Sequence, residues 1–191
     1  GDPEMTEWAK EKFKTAKASN QGDFTLETTN DPVLTKCYPP GSPRVYFHPY
    51  PFEFVHTPKF TLMMFEYDHW TRRIWTDGRK PPEDPDPYFN GHSVGHWEGD
   101  TLVIETTGLN AQNRIAPGIG HSDQLKVVER IHRVDQDWLE IETTLTDPVV
   151  LAEPYTSTTS YRHLDDALRE ALDRRFSAAR LAVRDLVGIE W

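Results

Sequence analysis

From residue 52 onward, short runs rich in β-branched and aromatic residues alternate with turn signals. Such runs are typical of β-strands. Seven runs predict strands, and an eighth alternates Tyr with Thr and Ser. The eight runs are FEFVHT (52–57), FTLMMFEYD (60–68), WTRRIWT (70–76), HSVGHW (92–97), TLVIETT (101–107), LKVVERIHRV (125–134), WLEIETTLT (138–146) and YTSTTSY (155–161).

Most of these runs are separated by very short connectors, such as PK, EGD and DQD. Because a parallel crossover needs about a dozen residues or more, short connectors predict antiparallel hairpins. An antiparallel meander of about eight strands can close into a small lipocalin-like barrel that holds one ligand. We therefore expect a mainly β fold with an up-and-down barrel; an open, strongly curved sheet is the alternative.

Two connectors, residues 79–91 and 108–124, are longer than a hairpin needs. Long ordered loops in a compact domain often act as lids or binding loops. If they follow strands of matching direction, both loops lie at the mouth of the barrel. They are therefore candidates for contact with a ligand.

The two ends of the chain predict helices. Residues 4–18 contain helix-forming residues and predict a short peripheral helix. Residues 162–191 place apolar residues on one helical stripe, so we expect an amphipathic helix that packs across the sheet or pairs with a second subunit in a homodimer. The chain then forms one domain, 1–191, comprising an arm (1–51), a barrel (52–161) and a C-terminal helix (162–191).

Charge limits the partners. The chain has 31 acidic and 21 basic residues and a formal net charge of -10, which disfavours nucleic acid and anionic membranes as partners. No stretch approaches the roughly 20 apolar residues of a membrane span, and the charged start lacks the apolar region of a signal peptide. We expect a soluble protein, while export of a natural precursor stays open. The single cysteine, Cys37, excludes an internal disulfide.

Strand alternation marks two carboxylates as candidates for burial. Glu129 and Glu66 each share a strand phase with apolar neighbours. A carboxylate removed from water either shifts its pKa or meets a cation, and both outcomes resemble a functional site. The alternative is a structural salt bridge, with Arg72, Arg73 or Arg130 as the partner.

Three histidines are candidates for acid/base chemistry or metal binding. His92 and His96 lie four residues apart, but the nearby glycines argue against the helix on which such a pair binds zinc. His121 lies in the second long loop, where it could act as a general acid or base or be an ordinary loop histidine. On an inner strand face, His92 would be a catalytic residue.

The chain lacks the usual motifs of nucleophilic and nucleotide chemistry. It has no G-x-S-x-G turn, phosphate-binding loop or dinucleotide fingerprint. Because these motifs are absent, we expect no cofactor.

Tryptophans in the strand region, including Trp75 and Trp97, suit either a core or a cavity for a flat apolar ligand.

Several ordered motifs resemble a large bacterial family of mostly uncharacterised, often exported proteins marked by GHSxGxWEGDTLVVxTxG. The matching segments are GSPR, PFEF, EYDHWTRRIWTDGR, GHSVGHWEGDTLVIETTG, GHS at 120–122 and VVERIHRVDQDWLEIETTLTDP. The resemblance covers residues 8 to about 155, while NAQNRIAPGIG and the C-terminal helix depart from it. It implies a small β-barrel and marks Arg44, Glu66, Asp77, Arg79, His92, Asp100, His121, Glu129 and Arg130.

Three functions follow as hypotheses. The first is a cofactor-independent isomerase, lyase or cyclase that moves protons on a small apolar or aromatic molecule in the barrel. The second is a non-catalytic carrier of a lipophilic ligand, and the third is a metal-dependent enzyme using His92, His121 and a carboxylate. The catalytic candidates of the first, which needs no metal, are His92, His121, Glu66 and Glu129. The substrate-binding candidates are Arg72, Arg79, Arg130, Tyr67, Trp97 and Trp75.

Overall fold

The computed structural model describes residues 3–17, 28–116 and 118–164. All eight runs predicted as strands form strands, and a short hairpin adds two more. The strands are β1 (Phe52–His56), β2 (Phe60–Phe65), β3 (Thr71–Trp75), β4 (His92–Glu98), β5 (Thr101–Thr107), β6 (Arg114–Ala116), β7 (Ile119–Gly120), β8 (Lys126–Arg133), β9 (Trp138–Thr146) and β10 (Tyr155–Arg162).

Eight strands form one curled sheet in the order β1-β2-β3-β4-β5-β8-β9-β10, and β6 pairs with β7 separately. Every neighbouring pair in the large sheet is antiparallel except β3 and β4. In the described part of the chain no ladder joins the edge strands β1 and β10. The fold is therefore mainly β, as predicted, and the sheet forms a half-barrel.

The parallel pairing of β3 with β4 corrects the expected all-antiparallel meander. In this pair Ile74 lies opposite Ser93 and Trp75 opposite Val94. Residues 76–91 connect the two strands, and this length allows the chain to return and enter β4 in the same direction as β3. The first long loop is therefore a crossover, and it passes over the outer, convex face of the sheet.

The inner face of the half-barrel carries the main core. Met63 and Ile74 are fully buried there, and each such side chain contributes roughly 1.5–3 kcal/mol through burial. A 3-10 helix of the N-terminal arm (Arg44–Phe47) places Tyr46 among them. Tyr46 packs against Phe52 of β1, and its carbonyl accepts a hydrogen bond from Tyr161 of β10 at 3.2 Å. The arm thus packs between the two edge strands.

β2 corrects one prediction about burial. Thr61, Met63 and Phe65 face the core, whereas Leu62 faces outward. Glu66 follows the outward phase and is exposed, so its predicted burial is wrong. The sequence misled because β2 is apolar at both phases, which leaves alternation unable to identify the core-facing side.

Short elements flank the sheet. The predicted N-terminal helix is α1 (Glu7–Phe13), which begins where the Thr6 hydroxyl accepts a hydrogen bond from the Ala9 backbone at 3.2 Å. A further helical turn, α2 (Pro32–Thr35), and the β6–β7 hairpin were not predicted. Both lie in segments rich in proline, glycine and asparagine, where local sequence favours turns.

The predicted C-terminal helix falls almost entirely outside the described residues, which end at His163 and Leu164 after β10. Its predicted packing against the sheet or a second subunit therefore stays a prediction. Where residues are described, no helix has both the length and the hydropathy required to cross a membrane.

Candidate functional site

The buried carboxylate predicted on β8 is the centre of an inner polar network. Glu129 is fully buried and forms a two-point ion pair with Arg72 of β3, at 2.9 and 2.5 Å. Arg72 also donates to the hydroxyls of Ser93, at 3.1 Å, and Thr106, at 2.8 Å. Every described group in this network is paired, so the structural salt bridge accounts for both charges.

Tyr46 completes this network, with its hydroxyl 2.5 Å from an Arg72 guanidinium nitrogen. Burial raises the pKa of the Tyr46 phenol. Burial opposes the charge on Arg72, but the contributions of Glu129 and Tyr46 together outweigh this effect and hold the Arg72 pKa above its ordinary value. The network therefore keeps a neutral phenol beside a permanent ion pair, which suits a structural role in the core.

A cleft of about 690 Å³ lies on the opposite, outer face of the sheet, under the β3–β4 crossover. Its apolar lining comes from Leu62, Trp75, Pro82, Tyr88 and Val94. Its basic lining comes from Arg73, Arg79, Lys80 and His92, and none of the described lining residues is an aspartate or glutamate. The cleft is thus apolar and cationic.

Strand register arranges the floor of the cleft in two rows. Leu62 of β2 lies opposite Arg73 of β3, and the parallel register that pairs Ile74 with Ser93 brings His92 to the other side of Arg73. Directly opposed residues on one face have Cβ atoms about 5 Å apart. Arg73 is therefore flanked by an aliphatic side chain and an imidazole.

In the second row, Trp75 lies between Phe60 and Val94. The Arg79 guanidinium stacks 3.6 Å from the centre of the Trp75 ring and forms a two-point ion pair with Asp77 at 2.9 and 2.7 Å. The Arg79 hydrogen bond lowers the pKa of Asp77. Asp77 thus neutralises Arg79 and fixes it against the tryptophan.

His92 faces this outer cleft rather than the inner face on which the sequence placed it. Its Nε2 lies 2.9 Å from the backbone carbonyl of Asp86 in the crossover loop. A carbonyl only accepts hydrogen bonds, so Nε2 carries the proton and donates. In the neutral ring, Nδ1 is then the unprotonated, basic nitrogen.

The end of the crossover loop is fixed to its surroundings. Tyr88 donates its backbone N–H to the Gly108 carbonyl at 3.0 Å and accepts from Asn110 at 3.0 Å. The buried Asn90 side chain donates to the Thr71 carbonyl at 3.1 Å and accepts from the indole N–H of Trp70 at 2.7 Å. Gly91 has φ +60, and a Cβ there would lie 2.7 Å from the Thr107 carbonyl. These contacts define the wall of the cleft.

A second cleft of about 510 Å³ lies on the other side of the crossover loop and is acidic. Its carboxylates are Glu83, Asp84, Asp86 and Asp123. Its one lining cation among the described residues, Lys126, forms an ion pair with Glu105 at 2.7 Å. The loop therefore separates a cationic cleft from an acidic one.

His121 lies in neither cleft. It is buried, its Nδ1 lies 2.8 Å from the Ser122 carbonyl, and burial lowers the pKa of its imidazole. The Asp147 carboxylate accepts from the Ser122 hydroxyl at 2.8 Å and from its backbone N–H at 2.7 Å. The His121–Ser122 pair thus joins the β7–β8 connection to the end of β9.

The other sequence-predicted candidates are dispersed. Exposed Glu66 begins the 3-10 helix in which Tyr67 stacks on His48 at 4.0 Å. Trp97 is 51% exposed, and Arg130 forms a surface ion pair with Glu98 at 2.9 Å. The cleft therefore brings together three predicted residues, His92, Arg79 and Trp75, and leaves the rest elsewhere.

Sequence reasoning treated Arg73 only as a possible ion-pair partner and did not identify Leu62 or Tyr88. The signal for Arg73 was its shared strand phase with Trp75. That signal was ambiguous because Ile74 and Trp75 are both apolar and belong to opposite phases. The position of Tyr88 depends on the crossover, which local pattern does not specify.

Across residues 3–17, 28–116 and 118–164, no group of three or more His, Cys, Asp or Glu side chains is placed to hold a metal ion. Comparison of the chain with protein-family models, with curated proteins and with solved structures gave no match. The function is therefore inferred from the geometry of the chain's own residues.

Proposed function

We propose that the protein binds a small, flat, partly apolar molecule in the outer-face cleft. The observation that carries this proposal is the cleft itself, about 690 Å³ with apolar side chains beside polar groups. This volume is within the range of small-molecule sites, roughly 300–1,000 Å³, which are mostly apolar with a few placed polar groups. Of the nine positions that the resemblance marks, Arg79 and His92 line the cleft, and Asp77 forms an ion pair with Arg79.

Blocking the cleft tests the proposal. Val94 lies on the outer face within the cleft, and Val128 lies on the outer face of β8 outside it. Ligand-observed NMR with a panel of mono- and bicyclic aromatic molecules should detect binders to the wild type and to Val128→Phe. The same binders should be lost in Val94→Phe, because the larger ring fills the cleft. Equal binding to both variants would reject the cleft as the site.

A second candidate function is proton-transfer catalysis in the same cleft. It is favoured by one observation, the position of His92 beside Arg73 on the outer face. Nδ1 of His92 would remove a proton from carbon next to a carbonyl, and Arg73 would stabilise the negative charge that develops on the carbonyl oxygen. His121, Glu66 and Glu129 take no part in this scheme.

Deuterium exchange distinguishes the catalyst from the carrier. Indan-1-one, a flat ketone, is incubated with the protein in heavy water, and its deuterium content is followed by mass spectrometry. A catalyst incorporates deuterium at the carbon next to the carbonyl faster than buffer, and His92→Gln abolishes this gain. His96→Gln, on the same strand and face, retains it. If the protein is only a carrier, the ketone incorporates deuterium at the buffer rate with the wild type and with both variants.

A further inference from the structure

We infer that the ligand of the outer cleft is a planar organic anion whose oxyanion binds Arg73, an inference that rests on the proposed small-molecule site. Four basic side chains line the cleft, and the ion-paired carboxylate of Asp77 neutralises only Arg79 among them. The cleft keeps positive charge on a chain whose formal net charge is -10.

Arg73 carries the uncompensated charge at the centre of the floor. Of the residues described, none places a carboxylate within ion-pair distance of its guanidinium, and none accepts a hydrogen bond from it. The guanidinium lies 5.0 Å from the centre of the Phe60 ring and 5.2 Å from that of Trp75. Ring contacts hold the group while its N–H donors stay available in the guanidinium plane.

This arrangement matches an oxyanion. A guanidinium offers parallel N–H donors that fit a carboxylate or phosphate, and charge-assisted hydrogen bonds are about twice as strong as neutral ones. Lys80 lines the same cleft and adds a second cation without a described carboxylate partner. By contrast, the donors of the core arginine, Arg72, are taken up by Glu129 and three hydroxyl groups.

The apolar residues define the rest of the ligand. Leu62 lies beside Arg73 and Val94 beside Trp75, so an aliphatic floor adjoins the cation on both rows. Tyr88, 50% exposed, forms part of the wall. A flat hydrocarbon of one or two rings can cover this floor while its oxyanion meets Arg73 at the edge.

The acidic cleft on the other side of the crossover loop adds selectivity. Glu83, Asp84 and Asp86 lie on the stretch of loop that borders it. Like charges repel, so an anion is disfavoured there and is directed towards the cationic side. A cationic or neutral ligand gains no such preference for the Arg73 side.

Matched ligands test the inference on the full chain by calorimetry. The probes are naphthalene-2-carboxylate and the neutral naphthalene-2-carboxamide, which have the same ring. We expect the carboxylate to bind the wild type at least about tenfold more tightly, the minimum for a net charge-assisted hydrogen bond. Arg73→Met should remove this preference and leave carboxamide affinity within about twofold, since it removes the charge and keeps an apolar side chain.

Arg162→Met is the matched control, because Arg162 is an exposed arginine on the edge strand β10. It changes the net charge equally and should preserve the preference for the carboxylate. Equal binding of the two probes to the wild type would overturn the inference, as would loss of preference in Arg162→Met. If both probes bind the wild type equally and Val94→Phe abolishes their binding, the anion is rejected and the cleft remains the ligand site. If Val94→Phe changes the affinity of neither probe, both proposals are rejected.

Discussion

Arg72 and Arg73 are neighbours on β3, yet they occupy opposite environments. Arg72 is 1% exposed and contacts a carboxylate and three hydroxyls. Arg73 faces the outer cleft, where aromatic rings rather than carboxylates surround it. Because successive strand residues point to opposite faces, one sequence step separates a structural arginine from a candidate ligand-binding one.

The difference shows that a buried structural ion pair and a candidate active site can share the same features. Glu129 and Arg72 have the burial and the strong partner that often mark catalytic groups, but every described donor and acceptor around them is satisfied. Arg73 is exposed and contacts aromatic rings instead of a carboxylate, so its N–H donors stay available in the cleft. Unused hydrogen-bonding capacity, more than burial, is the reason we propose the outer cleft as the ligand site.

The largest expected effect is the loss of stability when the buried inner network is disrupted, compared with the loss when a surface ion pair is broken. Glu129→Gln leaves the Arg72 charge buried without its carboxylate, so we expect a loss of about 3–5 kcal/mol in the free energy of unfolding. Urea denaturation measures it. Glu98→Gln, which breaks the exposed pair with Arg130, should cost much less, because solvent screens a surface pair. Similar losses in the two variants would remove the distinction between a structural core network and a surface pair.

The second effect concerns the wall of the outer cleft. Gly91 and Gly99 both have positive φ, at +60 and +59, but only Gly91 is closely surrounded. We expect Gly99→Ala to cost about 1 kcal/mol through backbone strain, and Gly91→Ala to cost more because its methyl group overlaps the Thr107 carbonyl. Thermal unfolding compares them. A smaller loss for Gly91→Ala would contradict the close packing of the crossover loop.

The third effect is a pH dependence of the stability, caused by a histidine that lies outside both the inner polar network and the outer cleft. Burial lowers the pKa of His121 below its ordinary value of 6.5, so the folded protein binds this proton less readily than the unfolded chain. Its stabilising contribution is complete above pH 6.5 and declines as the pH falls towards the folded-state pKa. The wild type should therefore lose more stability than His121→Gln between pH 7.5 and 5.5, measured by urea denaturation.

The exposed His96 supplies the control for this titration. His96→Gln retains the buried His121, so its decline should stay steeper than that of His121→Gln. A wild-type decline no steeper than that of His121→Gln would contradict the burial of His121 as the cause. His48, whose pKa burial also lowers, is present in all three proteins and so cancels from the comparison.

The smallest expected effect is the stability of Arg73→Met. Arg73 has an exposed side chain and no described ion pair, so its removal should change the free energy of unfolding by about 0.5 kcal/mol or less. Urea denaturation in parallel with Glu129→Gln measures the contrast. A loss comparable with that of Glu129→Gln would assign Arg73 to the fold rather than to ligand binding.

Much of the fold could be predicted from local pattern. All eight long strands and the N-terminal helix follow from residue type and spacing, because short connectors and alternation act locally. The parallel β3–β4 pair could not be predicted this way, since a connector of 16 residues is compatible with either strand direction. The outer cleft exists only because of that crossover.

The site was less predictable than the fold. Alternation correctly identified Glu129 as buried, because Val127 and Ile131 share its phase and the other phase of β8 is polar except for Val128. It failed for Glu66 on β2 and for the face of His92. At these strands the outer face also carries apolar residues, which line the cleft. The positions of apolar residues therefore no longer distinguish the inner face of the sheet from the outer face.

The most direct test of the central claim is the indole N–H signal of Trp75 in an NMR titration with naphthalene-2-carboxylate. The chain has six tryptophans, and Trp75→Phe identifies the signal of interest. We predict that the ligand shifts the Trp75 signal and leaves those of Trp8 and Trp138, which lie outside the cleft, unchanged. A bound ligand that shifts either of those signals while that of Trp75 stays in place would contradict the assignment of the outer cleft as the ligand site.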